Sequence, residues 1–587
     1  MTSGIYLDTG SLSSDMFSTL QRYYRNLNVD PEYIEGKWRQ WEQTPALTVY
    51  MARKNNEVVG WLIYNRHKST IEEFQLTGDH IEDGIESQIV DALVNNENLI
   101  AAEVLSIDRD KYQWMVEYGF RPISFTAGNF SQIKLELSTA VLIEKLDKLK
   151  SARSYSKTET VCIEKVPATQ TYSEVKDGLA NLIARLGGLD KFVKKGQSVV
   201  IKPNIVSDHG LKDGVYTGGV VTDIRLIKAL VEILLPVAGK VIIAEGSSIN
   251  RSETRHQFMH YGYDSIVNLD PDKISLVDLN NDELVEKAVP GAKRMTSRKI
   301  PLTLDKADVI ISVPVMKTHF AAVVSLSIKN LQGAVPPLEK YMSHFFGLWQ
   351  NLVNINHIIK PQLIIIDGLT GQEGFGPLSG TPKQMDVLIG GTNPVAVDSV
   401  AMRIMGIAPV TSPPVRLAYL QGLGPIEDDK IEIIGPSIDE VASPFIQPEF
   451  NLSNGRDINI HVGNPCQGCR AYFHFTLSKL RRPDPRDKTR QLIDRPFEKA
   501  VNIFLGPETP CEINPDETNI FMGICQQHHA QMGKHVPGCP PHTEAIIESV
   551  FGLFPDVQKA KYADKNEESR LGEMLQEILN MPRRKEA

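Results

Sequence analysis

The residues of this chain with the most chemical potential fall into two groups, one rich in lysine and one in cysteine. Within 307–333, Asp308 to Val313 reads as a buried strand that stops at Pro314 and presents Lys317, Thr318 and His319, and a second apolar run ends in Lys329 and Asn330. Lys202 and Asn204 follow Val199-Val200-Ile201, Glu245 follows Ile242-Ile243-Ala244, and Asp367 follows Ile364-Ile365-Ile366. Ligands of open α/β sheets bind just beyond the carboxyl ends of the strands, so polar residues repeated at strand ends predict one shared crevice. Lysine is a compact cation suited to phosphate or carboxylate. Lys202, Lys317 and Lys329 with Asn204, Thr318 and Asn330 therefore predict a pocket for a small anionic substrate. The simpler alternative pairs each lysine with a carboxylate at the sheet edge.

Three more positions belong with this crevice. Glu373 lies in the loop Gln372-Glu373-Gly374-Phe375-Gly376-Pro377, where Gly374 and Gly376 would let backbone approach a ligand closely. Asp398 sits in Asn393-Pro394-Val395-Ala396-Val397-Asp398, the predicted first turns of a helix with Pro at N1, and a carboxylate in so apolar a helix needs a partner. With Glu245 and Asp367 it would complete an acidic set opposite the lysines. His319, after a strand end and near Lys317, could act as a general base or a metal ligand. Lys317, His319, Glu373 and Asp398 are thus the catalytic candidates; His344 and His357 carry less of this signal. The chain has no Walker A run, no GxGxxG after a strand and no GxSxG elbow.

Six cysteines are too few for a disulfide scaffold in a chain of 587 residues, and five of them fall after residue 460. Cys466-Gln467-Gly468-Cys469 can grip one metal or cluster, because the intervening turn brings both sulfurs to the same side. Cys525 and Cys539 complete four ligands, each with Gly or Pro nearby, and Cys539-Pro540 has the Cys-Pro ending frequent at iron–sulfur sites. The expected cofactor is a [4Fe-4S] cluster. The alternative is zinc, with His528, His529, His535 or His542 available as further ligands. Cys511 is a spare candidate, and Cys162 reads as a small buried hydrophobe.

The elements that must position these groups are those of an α/β protein. A content of 42% hydrophobic and 23% charged residues describes globular material too long for one core. A net charge of −9 argues against a nucleic-acid surface or an anionic membrane as the main partner. The N-terminus lacks a basic region followed by an apolar stretch, and no apolar run approaches the ~20 residues that span a bilayer, so a cytoplasmic protein is expected.

Residues 1–145 read as a separate α/β domain, with paired strands Leu47 to Ala52 and Val58 to Asn65, a helix Ile85 to Val94 and a strand Ala101 to Leu105. This order, followed by Tyr112 and Glu117-Tyr118-Gly119-Phe120-Arg121-Pro122, resembles the GNAT acetyltransferase fold. The resemblance implies a cradle for the acetyl-CoA pyrophosphate at a Gly-rich helix start. The corresponding segment, Gly78 to Glu86, has Glu72 and Glu73 upstream, and those carboxylates would repel a pyrophosphate. The expected role is packing or partner recognition; the alternative is acyl-CoA-dependent N-acetyltransfer. Glu136 to Ser156 turns Lys-rich at helical spacing, predicting an amphipathic linker helix across 146–157.

From 158 to 455, apolar strands alternate with helices: Ser198 to Lys202, helix Ile224 to Leu235, Lys240 to Glu245, Val309 to Val313, Leu363 to Asp367 and Val387 to Ile389. Such alternation predicts a mainly parallel sheet covered on both faces. The motifs V-I-K-P-N, I-I-A-E-G, A-D-V-I-I-S-V-P-V-M-K-T-H, S-L-S-I-K-N-L-Q-G, D-G-L-T-G-Q-E-G-F-G-P and N-P-V-A-V-D-S-V-A-M-R-I-M-G resemble the DUF362 family. The resemblance implies a fold and a set of positions without a reaction, and its members often carry an iron–sulfur segment. Residues 456–587 then form a cysteine-rich, cluster-binding domain. The functional expectation is an intracellular iron–sulfur protein, an oxidoreductase or lyase, holding an anionic ligand beside its cluster and exchanging electrons with a redox partner protein. The rival classes are a zinc-stabilised binding or assembly protein and an N-acetyltransferase.

Overall fold

The computed structural model describes residues 6–557 except 28, 45–46, 55–56, 66–69, 77–100, 106–107, 109–110, 112–114, 116–119, 127–131, 138–154, 213–214, 249–253, 292–295, 338, 341–342, 344–346 and 510. The Gly78 to Glu86 segment, the helix expected at Ile85 to Val94, nearly all of the linker helix and His344 lie outside the described residues. The chain divides into two units: Met1–Lys150 with Met405–Thr411 and Pro444–Glu449, and Ser151–Ile404 with Ser412–Ser443 and Phe450–Ala587. Among the described residues no helix is long and apolar enough to cross a membrane.

The first unit is a seven-stranded sheet in the order Tyr6–Gly10, Leu47–Lys54, Glu57–Asn65, Thr70–Leu76, Ala101–Leu105, Gln132–Leu137, Phe120–Thr126. Only Thr70–Leu76 and Ala101–Leu105 pair in parallel. Glu136 and Leu137, expected to open the linker helix, instead end a strand; Ile133, Leu135 and Leu137 alternate with polar residues at the period of two that suits a sheet. Ser13 and Asp30 cap the helices Ser14–Asn26 and Pro31–Glu42, accepting from the N–H groups of Met16 and Glu32. These helices bury Leu20, Tyr24, Trp38 and Trp41 with Trp61 and Ile63 of the sheet. Glu72 and Glu73 are buried too. Glu72 accepts from the Trp41 indole at 2.9 Å and the Asn65 amide at 2.8 Å, while Glu73 takes the Tyr24 hydroxyl at 2.6 Å and the Lys111 ammonium at 2.5 Å.

The second unit is built on a mixed sheet whose main path runs Ile274–Asp278, Lys240–Glu245, Ser198–Pro203, Val309–Val313, Leu363–Phe375, Ser379–Gly391, Glu159–Lys165, Ile431–Ile434. The first five are mutually parallel, and their Val/Ile runs are what a sheet covered on both faces requires. Alternation sorts the side chains: Val199 and Ile201 join one core with the helices Tyr172–Arg185 and Ile224–Leu234, whereas Val200 joins another with Ala244, Ile310 and Ile355. The strand expected at Val387 to Ile389 is part of Ser379–Gly391 and runs antiparallel to both neighbours. The connection 376–378 is far too short for a parallel crossover, which needs about a dozen residues or more.

The cysteine-rich end belongs to this second unit rather than to a unit of its own. It contributes a parallel sheet, Ile458–Val462, Val501–Leu505, Thr518–Met522 and Lys534–Val536, and the helix Gln467–Leu480.

Candidate functional site

Lys202 and Glu245 end adjacent parallel strands, so neighbouring carboxyl ends bring them together: Lys202 Nζ lies 2.7 Å from Glu245 Oε1, both buried. Glu245 also accepts the N–H groups of Ile205 at 2.9 Å and Gly246 at 2.8 Å. The Lys202 ammonium reaches Pro203 O at 3.0 Å and Asn330 Oδ1 at 3.3 Å, and Asn330 returns its amide to Lys202 O and Ser312 Oγ. Gly333 is required beside this pair, because a Cβ there would sit 2.6 Å from Lys202 Nζ and against the Glu245 carboxylate.

Lys317, on the strand Val315–His319, is also fully buried and donates to Asn204 Oδ1 at 2.6 Å and Val220 O at 2.7 Å. Lys340, which no strand-end pattern marks, is a fourth member; it donates to Gly246 O, Ser247 O and Asn280 Oδ1 at 2.8, 3.0 and 2.7 Å. Lys329 is half-buried and, among the described residues, has no hydrogen-bond or ion-pair partner. Burial pushes all four amines down, and they repel one another. Lys329 falls to about 8, through burial and then Lys202. Lys340 falls to about 7, chiefly through burial. Lys317 drops well below its ordinary value through burial and then Lys329. Burial lowers Lys202 as well, opposed by Glu245. Among the described residues the local arrangement is four amines around one buried carboxylate, Glu245, with Asp278 also acting on Lys340, an excess of positive charge.

The other acidic candidates do not join this group. Asp398 accepts the N–H groups of Ser327 at 2.7 Å and Ile328 at 3.0 Å and the Ser327 hydroxyl, so it caps the short helix Ser327–Asn330 that carries Lys329 and Asn330. Burial raises it to about 7 against those hydrogen bonds. Asn393 caps the helix on which Asp398 rides, accepting from Val395 and Ala396. Asp367 accepts the N–H groups of Asp223 at 2.8 Å and Leu369 at 3.1 Å, and burial then Asp223 raises it to about 7. The acidic set expected opposite the lysines is thereby corrected: Glu245 alone is among them, and the other two carboxylates secure backbone turns. Glu373 pairs with Lys383 at 3.1 Å on the hairpin. The carbonyls of Gly374 and Gly376 accept from the Thr318 hydroxyl and the Phe320 N–H, so this stretch is a hairpin arm bracing Thr318 to Phe320 rather than an open loop.

His319 accepts the N–H groups of Ala321 and Ala322 on Nδ1, at 3.0 and 3.1 Å, which assigns its ring proton to Nε2. Its ring stacks on Phe320 at 4.7 Å. Gln467, lying between the paired cysteines, donates to His319 O at 3.2 Å and Phe320 O at 2.9 Å. The Cys-x-x-Cys turn is thereby joined to the end of the lysine-bearing strand.

Cys466 occupies the N-cap of the helix Gln467–Leu480. The Cys469 thiol first, then the N–H groups of Cys469 and Gly468 and the nearby Trp349 indole, favour the thiolate and hold its thiol down to about 6 against burial. The buried Trp349 N–H makes no hydrogen bond among the described residues. Cys469 is pushed up by its hydrogen bond to Cys466, by burial and by the charges of Cys466, Cys539 and Cys525. These four cysteines therefore share one locale. Leu348 N–H bonds Cys539 O at 2.9 Å, and a Cβ on Gly468 would meet Trp349 Cζ2 at 2.8 Å and Pro540 Cγ at 2.9 Å. Among the described residues no three His, Cys, Asp or Glu side chains are grouped closely enough to hold a metal ion. Cys511 stands apart, exposed, with its sulfur 3.3 and 4.0 Å from the two ring nitrogens of His461. Such similar distances place the sulfur well off either nitrogen's lone pair. Cys162 is buried in the sheet.

Residues 199–403 match the family model described as a domain of unknown function, DUF362. A thylakoid-associated protein of Synechocystis sp. is 27% identical over 256 residues, covering 42% of this chain and 75% of that protein. Weak structural likenesses extend to an acetyltransferase from Thermus thermophilus, at 15% identity over 22% of this chain and 97% of the other with TM-score 0.19. A GNAT family acetyltransferase from Elizabethkingia anophelis is similar at 16% identity over 23% of this chain and 99% of the other, with TM-score 0.17. At these TM-scores the likenesses bear on no residue's role.

Proposed function

We propose that the second unit binds a small anion, a phosphate or carboxylate, at its lysine cluster beside a [4Fe-4S] cluster held by Cys466, Cys469, Cys525 and Cys539. The observation that carries the reading is the pair of hydrogen bonds from Gln467, within the Cys-x-x-Cys turn, to the backbone of His319 and Phe320. That pair couples a thiol-rich locale to a strand end two residues beyond Lys317.

The chemistry of the donors, four free thiols in one locale, suits a thiolate-ligated cluster, whose binding would have to draw together sulfurs that are not grouped as a metal site among the described residues. Cys466 is already favoured as thiolate by N–H groups of a helix start, and the Trp349 indole is an orphaned buried donor aimed at sulfur, as hydrogen bonding to cluster sulfurs requires. A bound cluster would supply one-electron transfer or Lewis acidity. The chain's own residues would bind and orient the anion. Lys329 makes the direct contact, being the one cluster amine without an internal partner among the described residues, while Lys202, Lys317 and Lys340 are held in place by Glu245, Asn204, Asn280 and backbone carbonyls. Asp398 and Asn330 fix the short helix that presents Lys329.

Anaerobic purification with iron and acid-labile sulfide analysis tests the cluster. About four of each per chain and a broad brown absorbance are expected, lost in Cys469→Ser and kept in Cys511→Ser. Stoichiometric zinc without sulfide would sink it in favour of a zinc-stabilised protein. Phosphate or oxalate titrated into the wild type and Lys329→Gln tests the anion site, and equal weak heats in both would refute it.

A further inference from the structure

The four lysines differ in what their amines are committed to. Lys340 has three acceptors, and Lys202 has Glu245, a carbonyl and an amide oxygen. Lys317 has two acceptors and no exposed surface. Among the described residues Lys329 is both half-buried and uncommitted. An amine desolvated beside other cationic groups loses its proton more readily, and a deprotonated amine is a nucleophile toward carbonyl carbon. Burial and Lys202 act in that direction on Lys329, bringing it to about 8, and Lys329 in turn depresses Lys317.

From this geometry we infer that Lys329 is a covalent site: its free amine condenses with the carbonyl of a small oxo acid whose anionic group is drawn in by the surrounding lysines. The amine nitrogen attacks the carbonyl carbon, and the N–C bond forms as the carbonyl oxygen takes up a proton. The carbinolamine then loses that oxygen as water, its two hydrogens coming from the amine, to leave a C=N bond at Lys329. No oxidant or reductant is consumed. The inference rests on the anion-binding reading above and narrows its ligand to carbonyl-bearing anions.

Glyoxylate, a carboxylate with an adjacent aldehyde, is the probe. The full chain, purified anaerobically, is treated with glyoxylate and cyanoborohydride, which reduces an imine to a stable secondary amine, and the adduct is mapped by peptide mass spectrometry. The expected result is modification of the peptide carrying Lys329 at least about tenfold faster than the exposed lysines Lys194 and Lys195, suppressed by oxalate and absent from that position in Lys329→Arg. Oxalate binding is measured separately by calorimetry. Oxalate binding with adducts only at exposed lysines overturns the imine while leaving the anion site standing. Neither oxalate binding nor selective modification overturns both. Because the rate comparison is internal to the wild-type chain, an unfolded Lys329→Arg would not rescue or sink the inference.

Discussion

Glu245→Gln is the sharpest test of the lysine cluster. Three donors converge on this carboxylate, Lys202 Nζ at 2.7 Å and the N–H groups of Ile205 and Gly246 at 2.9 and 2.8 Å. Replacing it by an amide keeps the shape, removes the charge and turns an NH2 group toward a donor. Among the described residues Lys202 is then a fully buried cation with Lys317, Lys329 and Lys340 nearby and no carboxylate bonded to it, Asp278 acting on Lys340 instead. Breaking one side of a buried pair costs about 3–5 kcal/mol. The cost has a ceiling, because Lys202 can release its proton instead: staying neutral at about pH 7 against an unfolded value near 10.4 costs about 4–5 kcal/mol. A loss of about 3–5 kcal/mol at pH 7 is therefore expected, read as a urea midpoint lowered by about 1–2.5 M for a slope of about 2–3 kcal/mol/M. The deficit should shrink toward about 1 kcal/mol, the cost of an impaired hydrogen bond, as pH approaches about 10.4 and neutral lysine becomes free of penalty. Adding Lys202→Met should restore most of the loss at pH 7. A deficit below about 1 kcal/mol at pH 7, or one independent of pH, would refute the description of a buried cluster held by one charge.

Other outcomes follow from the same contacts. Lys329→Met should stabilise the protein at pH 7: the amine's fall from 10.5 to about 8 makes the charged form unfavourable by on the order of 3 kcal/mol at most. That penalty is fully present below about pH 8, where Lys329 is protonated in both states, and fades as pH rises toward 10.5, so the gain in urea midpoint should vanish there. Asp398 has the opposite sign. Raised from 3.8 to about 7, it makes the folded state bind more protons between those values, so wild-type stability falls across that window and Asp398→Asn should flatten the fall in a pH series of urea melts. Gly468→Ala should lower iron and sulfide content while far-UV circular dichroism stays unchanged. A helical Gly→Ala change normally gains up to about 1 kcal/mol, but here the new methyl meets Trp349 at 2.8 Å and Pro540 at 2.9 Å.

The parts of the fold governed by local pattern are legible in the residues alone. Apolar runs of β-branched residues marked the parallel strands, and polar residues closing those runs marked Lys202 and Glu245, because a parallel sheet sets all its carboxyl ends at one edge. Cysteine spacing singled out Cys466 and Cys469, and Gly or Pro beside Cys525 and Cys539 added these two as expected ligands; in the fold all four lie within electrostatic reach of Cys469. Which acids face the lysines depends on long-range packing. Asp367 and Asp398 follow the same strand-end and helix-start patterns as their neighbours, yet each is taken by backbone N–H groups far along the chain or at a turn, since a buried carboxylate goes to the donors that the folded backbone brings to it. Lys340 and Gln467 carry no periodic signal, and their roles appear only when Gly246 and Phe320 arrive from distant segments. That Lys329 has no partner among the described residues is likewise a tertiary fact: it follows from which neighbouring lysines found acceptors, a competition settled by packing rather than by spacing.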